Sequence, residues 1–300
     1  MDAKTLFLAT RPWSFSMTFS SVTVGTLVAY LAVGKVSLPF YLIVLGGMIA
    51  FHAATNLIND YYDVKHNVDR MGAPTTKYRP HPVAAGAEPA STIRNWSAAF
   101  YGLTLLAALY LSTVTGWVVL ALAAMGVVGS FLYTADPVVL KGKGLGEVTV
   151  FLMWGPLVPL GAYYVQTSTL SVVPVLVSLP VGFLVAEVLL ANNIRDIEYD
   201  GGVGMRTVPV IFGKAGGVGL YKALLVASYA FVPVAILAGV LPVWSLAVFL
   251  TAPEARGLAR MFGAVVPDNA DPRTAGLALK YSLLYMASMA LQALVSKIVL

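Results

Sequence analysis

The 300-residue chain has no cysteine, three histidines and only 11% charged residues. Without cysteine there are no disulfides and no thiolate metal ligands, and nothing follows about compartment. The scarcity of charge stands beside 58% hydrophobic residues and a mean hydropathy of +0.80. That combination excludes an ordinary soluble domain and leaves an integral membrane protein, all-α in class. Acids are scarcer than bases, 14 against 19, for a net charge of +5. The excess does not point to nucleic acid, because the basic residues fall in membrane-flanking loops. Lys4 and Arg11 precede an apolar run in the manner of a signal peptide. That run continues without a clear small-residue cleavage site, so it reads as a retained span.

What the chain does have is long apolar runs. A helix needs about 20 apolar residues to cross the hydrocarbon core. Nine segments qualify: 15–33, 38–59, 95–113, 117–133, 147–165, 170–191, 218–239, 242–259 and 276–300. The eighth is the weakest, with Glu254, Arg256 and Arg260 in its second half. With the N-terminus cytoplasmic, all of the 19 Lys and Arg except Lys35 and Lys297 fall on the inside. Such asymmetry is what the positive-inside rule requires, and a wrong span count would scramble it. The outer connections are short. The inner ones at 60–94 and 193–217 are long enough to form a cap over a cavity.

Two polar stretches sit where apolar runs end. One is Asn56-Leu-Ile-Asn59-Asp60-Tyr-Tyr-Asp63, followed by Asp69; the other is Asn192-Asn193-Ile-Arg195-Asp196-Ile-Glu198-Tyr-Asp200. The differences 192 − 56 and 196 − 60 are both 136, which corresponds to four spans. The chain therefore reads as a single transmembrane domain over 1–300. It divides into parallel repeats of four helices (about 1–137 and 138–260) plus the last helix, 276–300. At about 100° per residue, His52, Asn56, Asn59, Asp60 and Asp63 share roughly one quadrant of a helix end, with Asp60 at its edge. Asn192, Asp196 and Asp200 form a second stripe. Carboxylates gathered twice at a membrane boundary call for cations. Oxygen-only donors suit magnesium or manganese rather than zinc, and magnesium commonly bridges carboxylates to substrate phosphates. Lys77, Arg79, Lys143, Arg195 and Arg206 in the adjoining loops are available for charge-assisted phosphate contacts.

Other residues allow two readings each. Asp69 is a further ligand or a plain loop acid, and Glu198 points away from Asp196 and is expected to be solvated. Glu187 lies within a span, which suggests function; it is also nearly opposite Asp196, which favours a polar partner on another span. His52 is a site residue or a packed hydrogen-bonding one. Trp154 lines an apolar groove or merely packs. The ring face of Tyr133 shields a carbocation, or the residue is an interfacial tyrosine.

On these residues the chain resembles the UbiA superfamily of intramembrane prenyltransferases. The resemblance rests on Arg11-Pro12-Trp13, Asn59-Asp60-Tyr61-Tyr62-Asp63, Arg79-Pro80, Lys143-Gly-Leu-Gly-Glu147 and the Asn192–Asp200 motif. The Asn-Asn-Ile-Arg-Asp-Ile-Glu form is most similar to members that prenylate 1,4-dihydroxy-2-naphthoate in menaquinone synthesis. The resemblance implies nine helices around a cavity open to the cytoplasm, with a lateral route for a lipid tail. It implies that Asn56, Asp60, Asp63, Asn192, Asp196 and Asp200 hold two magnesium ions and a pyrophosphate, with Lys77, Arg79, Lys143 and Arg206 as phosphate contacts. The implied reaction is transfer of a prenyl group from an allylic diphosphate to an aromatic acceptor. The gap from Asp63 to Asp69 is longer than the commonest family pattern. Geranylgeranyl transfer to a glycerol-phosphate lipid is the rival within the superfamily, and cation transport the rival outside it. Transport sites usually lie near the midplane, whereas these acids gather at one rim.

Overall fold

The computed structural model describes residues 1–79, 81–264 and 266–299, apart from the side chains of 77, 78 and 297–299. Lys77 and Lys297 as side chains, Pro80 and Leu300 thus lie outside the described residues. The described chain is helical, without strands. A short α1 (Ala3–Ala9) leads through a turn to α2 (Phe15–Val33) and α3 (Leu38–Lys65). After α4 (Pro74–Tyr78) come α5 (Ala90–Thr115), α6 (Val118–Thr134) and α7 (Gly146–Leu152). A π turn, Met153–Leu157, joins α7 to α8 (Val158–Thr167). Then follow α9 (Val173–Arg195), α10 (Ile197–Gly202), α11 (Val208–Leu237), α12 (Ala252–Gly263) and α13 (Ala270–Val299).

All nine expected segments are helical, but not all alike. Among the described residues, seven helices are long and apolar enough to cross a membrane. The fourth, α6, has 17 residues. The eighth opens as a 3-10 helix, Val243–Thr251, before α12. Its Glu254 is paired with Lys280 of α13 at 2.8 Å. Several boundaries differ from the apolar runs. α3 continues past residue 59 to Lys65, and the last helix starts at Ala270 rather than 276. Both extensions are polar turns whose side chains find partners in the fold, so the helix outlasts its greasy part.

Helix ends follow local chemistry. Gly34 closes α2 at φ 72°, a conformation open to glycine without a Cβ clash. The Ser37 hydroxyl then accepts from the Phe40 N–H at 3.3 Å to start α3. Pro156 lacks an N–H and sits in the π turn, so the sequence-predicted continuous span 147–165 carries a local widening. At Gly25 a Cβ would lie 2.3 Å from the Pro159 carbonyl oxygen; only glycine lets α2 and α8 approach this closely.

The largest apolar core joins α2, α9, α11 and α13 and buries Tyr221, Tyr281 and Tyr285 completely. Their hydroxyls are satisfied: Tyr281 donates to the Ser228 carbonyl and Tyr285 to the Val177 carbonyl, both at 2.7 Å. Outward, large apolar side chains such as Leu106, Phe212 and Leu237 are exposed. An apolar exterior of this extent suits lipid contact, not water.

Candidate active site

The ends of α3 and α9 meet beside one cavity of about 300 Å³. Asn56, Asp63, Asn192, Asp196 and Asp200 all line it, as do Tyr133, Arg11 and Lys141. The two polar motifs, 136 residues apart, therefore share one chamber. Both long loops add wall: Val68, Asp69, Pro74 and Thr75 from the first, Tyr199, Met205 and Thr207 from the second region. The Tyr199 hydroxyl donates to the Val68 carbonyl at 2.6 Å, tying the second motif to the loop after the first.

The acids are met by bases. Lys141, in the 3-10 turn before α7, forms an ion pair with Asp63 and donates to Asn59 Oδ1 at 2.6 Å. Asn59 in turn donates to Asp63 Oδ2 at 2.8 Å. Arg195 grips Asp196 through two bonds of 2.7 Å, reaches Asn192 Oδ1 at 2.8 Å and pairs with Asp271. Lys141 also stands 5.9 Å from the ring centroid of Tyr133, so this ring already faces a cation. Among the described residues, the Asp200 carboxylate accepts a long bond from the Thr207 hydroxyl, 3.4 Å. Burial and the neighbouring Asp196 carboxylate push its pKa up to about 7.

Asp60 departs from the expected arrangement. It is fully buried and does not line the cavity. Arg79 donates to both of its oxygens, at 2.8 and 2.7 Å, and Arg11 adds a third bond at 2.6 Å. Arg79 is itself buried and, with Asp60 as its partner, is drawn away from the chamber. Below this clamp His81 accepts the Ala84 N–H on Nδ1 at 3.2 Å. That assignment puts its ring hydrogen on Nε2, which faces Asp69 at 3.1 Å. Asp60, Asp69 and His81 place ligand atoms within 4.8 Å of one another, and Arg79 supplies the cation there. The clamp is a desolvated ion cluster, stable only because each charge is answered.

Two more expected contacts lie elsewhere. The side chains of Lys143 and Arg206 are exposed and outside the cavity lining. Their backbones pair in an isolated bridge, with Arg206 N–H donating to the Gly142 carbonyl at 3.2 Å, which docks the loop after α10 on the turn that carries Lys141. Lys141 was not singled out by sequence; its lone sign was its place two residues before the Lys143-Gly-Leu-Gly-Glu147 run. Glu187 is fully buried off the cavity beside Tyr221 of α11, a polar neighbour on another span. Glu198 is exposed. His52 is a packed wall residue, its ring nitrogens 2.8 Å from the Thr18 hydroxyl and 3.2 Å from that of Ser14.

A family model described as the UbiA prenyltransferase family matches residues 18–284. The chain belongs to that family. The prenyltransferase is 31% identical over 249 residues to the 1,4-dihydroxy-2-naphthoate octaprenyltransferase of Bacillus subtilis (strain 168), covering 83% of this chain and 79% of that protein. It is 30% identical to UbiA prenyltransferase domain-containing protein 1 of Homo sapiens over 282 residues, 93% of this chain and 81% of the other. Among solved structures it shares its fold with a UbiA homolog from Aeropyrum pernix K1, at a TM-score of 0.71 and 18% identity, covering 94% and 98% of the two chains. A UbiA homolog from Archaeoglobus fulgidus bound to DMAPP and Mg2+ superposes at a TM-score of 0.62 and 17% identity, covering 94% and 99%.

Proposed function

We propose that this enzyme transfers a prenyl group from an allylic diphosphate to 1,4-dihydroxy-2-naphthoate or a related quinone precursor, releasing pyrophosphate. The observation that carries the proposal is the convergence of both acid motifs, each with its own bases, on one chamber. The naming of the Bacillus subtilis relative supports the acceptor. The Archaeoglobus fulgidus homolog bound to DMAPP and Mg2+ supports the donor and a divalent cation.

The donor set fits two magnesium ions: carboxylate and amide oxygens only, with the Asp200 carboxyl pushed up to about 7 by burial and by the neighbouring Asp196 carboxylate, a repulsion that a cation would relieve. Asn56 and Asp63 on one side and Asn192, Asp196 and Asp200 on the other would hold the ions. The ions would neutralise the charge developing on the departing diphosphate. Asp63 and Asp196 would be the metal-holding acids, and Lys141 and Arg195, which pair with them here, would be placed to bind phosphate oxygens. Arg79 and Asp60 stand one layer behind and would join them in the same roles. Lys77, Lys143 and Arg206 are further phosphate contacts if the loops fold inward over the diphosphate. Tyr133, whose ring faces the Lys141 ammonium, would offer the same face to an allylic cation. An electron-rich acceptor carbon then attacks that cation, and the ring regains aromaticity by releasing the group that carbon carried: carbon dioxide from the carboxylate-bearing carbon of the naphthoate, or a proton from an unsubstituted one.

We further infer nine membrane spans, counting α6 and the 3-10/α12 segment, with a cytoplasmic N-terminus and the chamber on the cytoplasmic rim. Repeats 1–137 and 138–260 each contribute one motif. The functional test is incubation with magnesium, a labelled allylic diphosphate and a panel of acceptors. Labelled prenylnaphthoquinol is the expected product. Labelled ether lipid would replace the acceptor assignment, and no product from any acceptor would overturn the reading.

A further inference from the structure

The buried ring of His52 lies in the chamber wall between Phe15 and Trp154, edge to face with both, at centroid distances of 5.4 and 4.8 Å. The hydrogen bonds around it assign its protons. Ser14, which closes the turn before α2, has one hydroxyl hydrogen and spends it on the Arg11 carbonyl at 2.7 Å. A hydroxyl whose hydrogen is spent can only accept. The 3.2 Å contact between Ser14 Oγ and His52 Nε2 therefore puts the ring hydrogen on Nε2. In the neutral ring Nδ1 is then the acceptor, and it takes the Thr18 hydroxyl at 2.8 Å. That hydroxyl in turn accepts the Trp154 indole N–H at 3.2 Å.

One helical turn on, Asn56 stands on the same face of α3 as His52. Its Nδ2 donates to the Thr10 carbonyl at 2.8 Å and to Ser14 Oγ at 3.4 Å. A carbonyl cannot donate, so the end of the amide that meets Thr10 is the nitrogen. Oδ1 is thereby left for the chamber that Asn56 lines. The amide oxygens of Asn59 and Asn192 are taken up by Lys141 and Arg195. Among the described residues no donor meets Asn56 Oδ1. Ser14 Oγ is the joint of this network, since His52 and Asn56 both donate to it.

We propose that His52 is a positioning residue for the metal: through Ser14 it fixes which way the Asn56 amide faces, and so sets how tightly the enzyme binds magnesium. This rests on the reading of Asn56 as a metal-holding residue. Without the His52 N–H, the Ser14 hydroxyl is free to turn, and the amide loses one of its two anchors. Partners that orient a ligand are worth about 10–100-fold in metal affinity. The same bonds pin the turn at Arg11, whose φ of 56° is left-handed, so the experiment must separate holding the turn from aiming the amide.

The measurement is the magnesium concentration at which half of the full-length enzyme in detergent binds an unreactive thio-analogue of geranyl diphosphate, read by calorimetry. His52→Leu and Ser14→Ala should each raise it by about tenfold or more. His52→Gln, which can offer an amide N–H to Ser14, should recover most of that loss. In an Asn56→Ala background His52→Leu should add nothing, because the ring acts through that amide. An unchanged requirement in both single variants, no recovery with glutamine, or a further loss on top of Asn56→Ala overturns the inference. Failure of the unaltered enzyme to bind the analogue with magnesium would instead overturn the reading beneath it.

Discussion

At the residue scale, the chamber is an accounting of charges. Asp63 answers Lys141, Asp196 answers Arg195, and Asp60 answers Arg79 and Arg11. Asp63→Asn or Asp196→Asn is expected to lower prenyl transfer by roughly 10²-fold or more, as loss of an electrostatic element at a reacting centre does, while the protein stays folded in detergent. Near-normal turnover by both would remove the assignment. Asp60→Asn should behave differently, because it removes the carboxylate that answers the buried Arg79. A broken buried pair costs about 3–5 kcal/mol, so this variant should melt well below the parent. Asp60→Asn combined with Arg79→Met should lose less than the sum of the two single changes. Additive losses would show that the pair is not coupled. Asp200 gives a pH signature. Its pKa is raised to about 7, so it is protonated below that pH and ionised above it. A metal binds the ionised form, so protons compete with it. The magnesium concentration for half-maximal activity should rise by up to about tenfold per pH unit below 7 and level off above. A requirement independent of pH between 6 and 8 would contradict a ligand role for Asp200.

At the scale of elements, the sequence is informative where the signal is local and silent where it is tertiary. Both motifs are legible because each lies on one helix end, and helical rotation alone groups Asn56, Asn59 and Asp63. The same rotation put Asp60 at the edge of its stripe, and the fold turns that edge away from the chamber. Nothing local shows that Arg79 would fold back 19 residues to meet it. Nor does composition reveal that Lys141, rather than the exposed Lys143, reaches Asp63. The apolar runs locate all nine helical segments yet miss their ends, since the turns to Lys65 and from Ala270 are polar. The α2–α8 contact also depends on one atom that is absent. Gly25→Ala would drive a Cβ to 2.3 Å from backbone oxygen and should cost about 1–3 kcal/mol, as overpacking does. An unchanged melting temperature in detergent would show that the helices separate freely.

At the scale of the whole molecule, the proposed orientation is open to a clean test, because the chain has no cysteine of its own. Lys35→Cys should react with a membrane-impermeant thiol reagent in intact cells, and Arg70→Cys only after the membrane is opened. Both side chains are exposed in the structure. The reverse pattern would invert the topology and put the chamber on the outer face.

The central claim is that two distant stretches of chain build one diphosphate site through shared cations. The direct measurement is calorimetric binding of an unreactive thio-analogue of geranyl diphosphate, with and without magnesium, to the parent, Asp63→Asn and Asp196→Asn. One equivalent should bind per chain, only with magnesium, and each substitution should weaken it by about tenfold or more. Undiminished binding by either variant, or binding that ignores magnesium, would contradict the shared site.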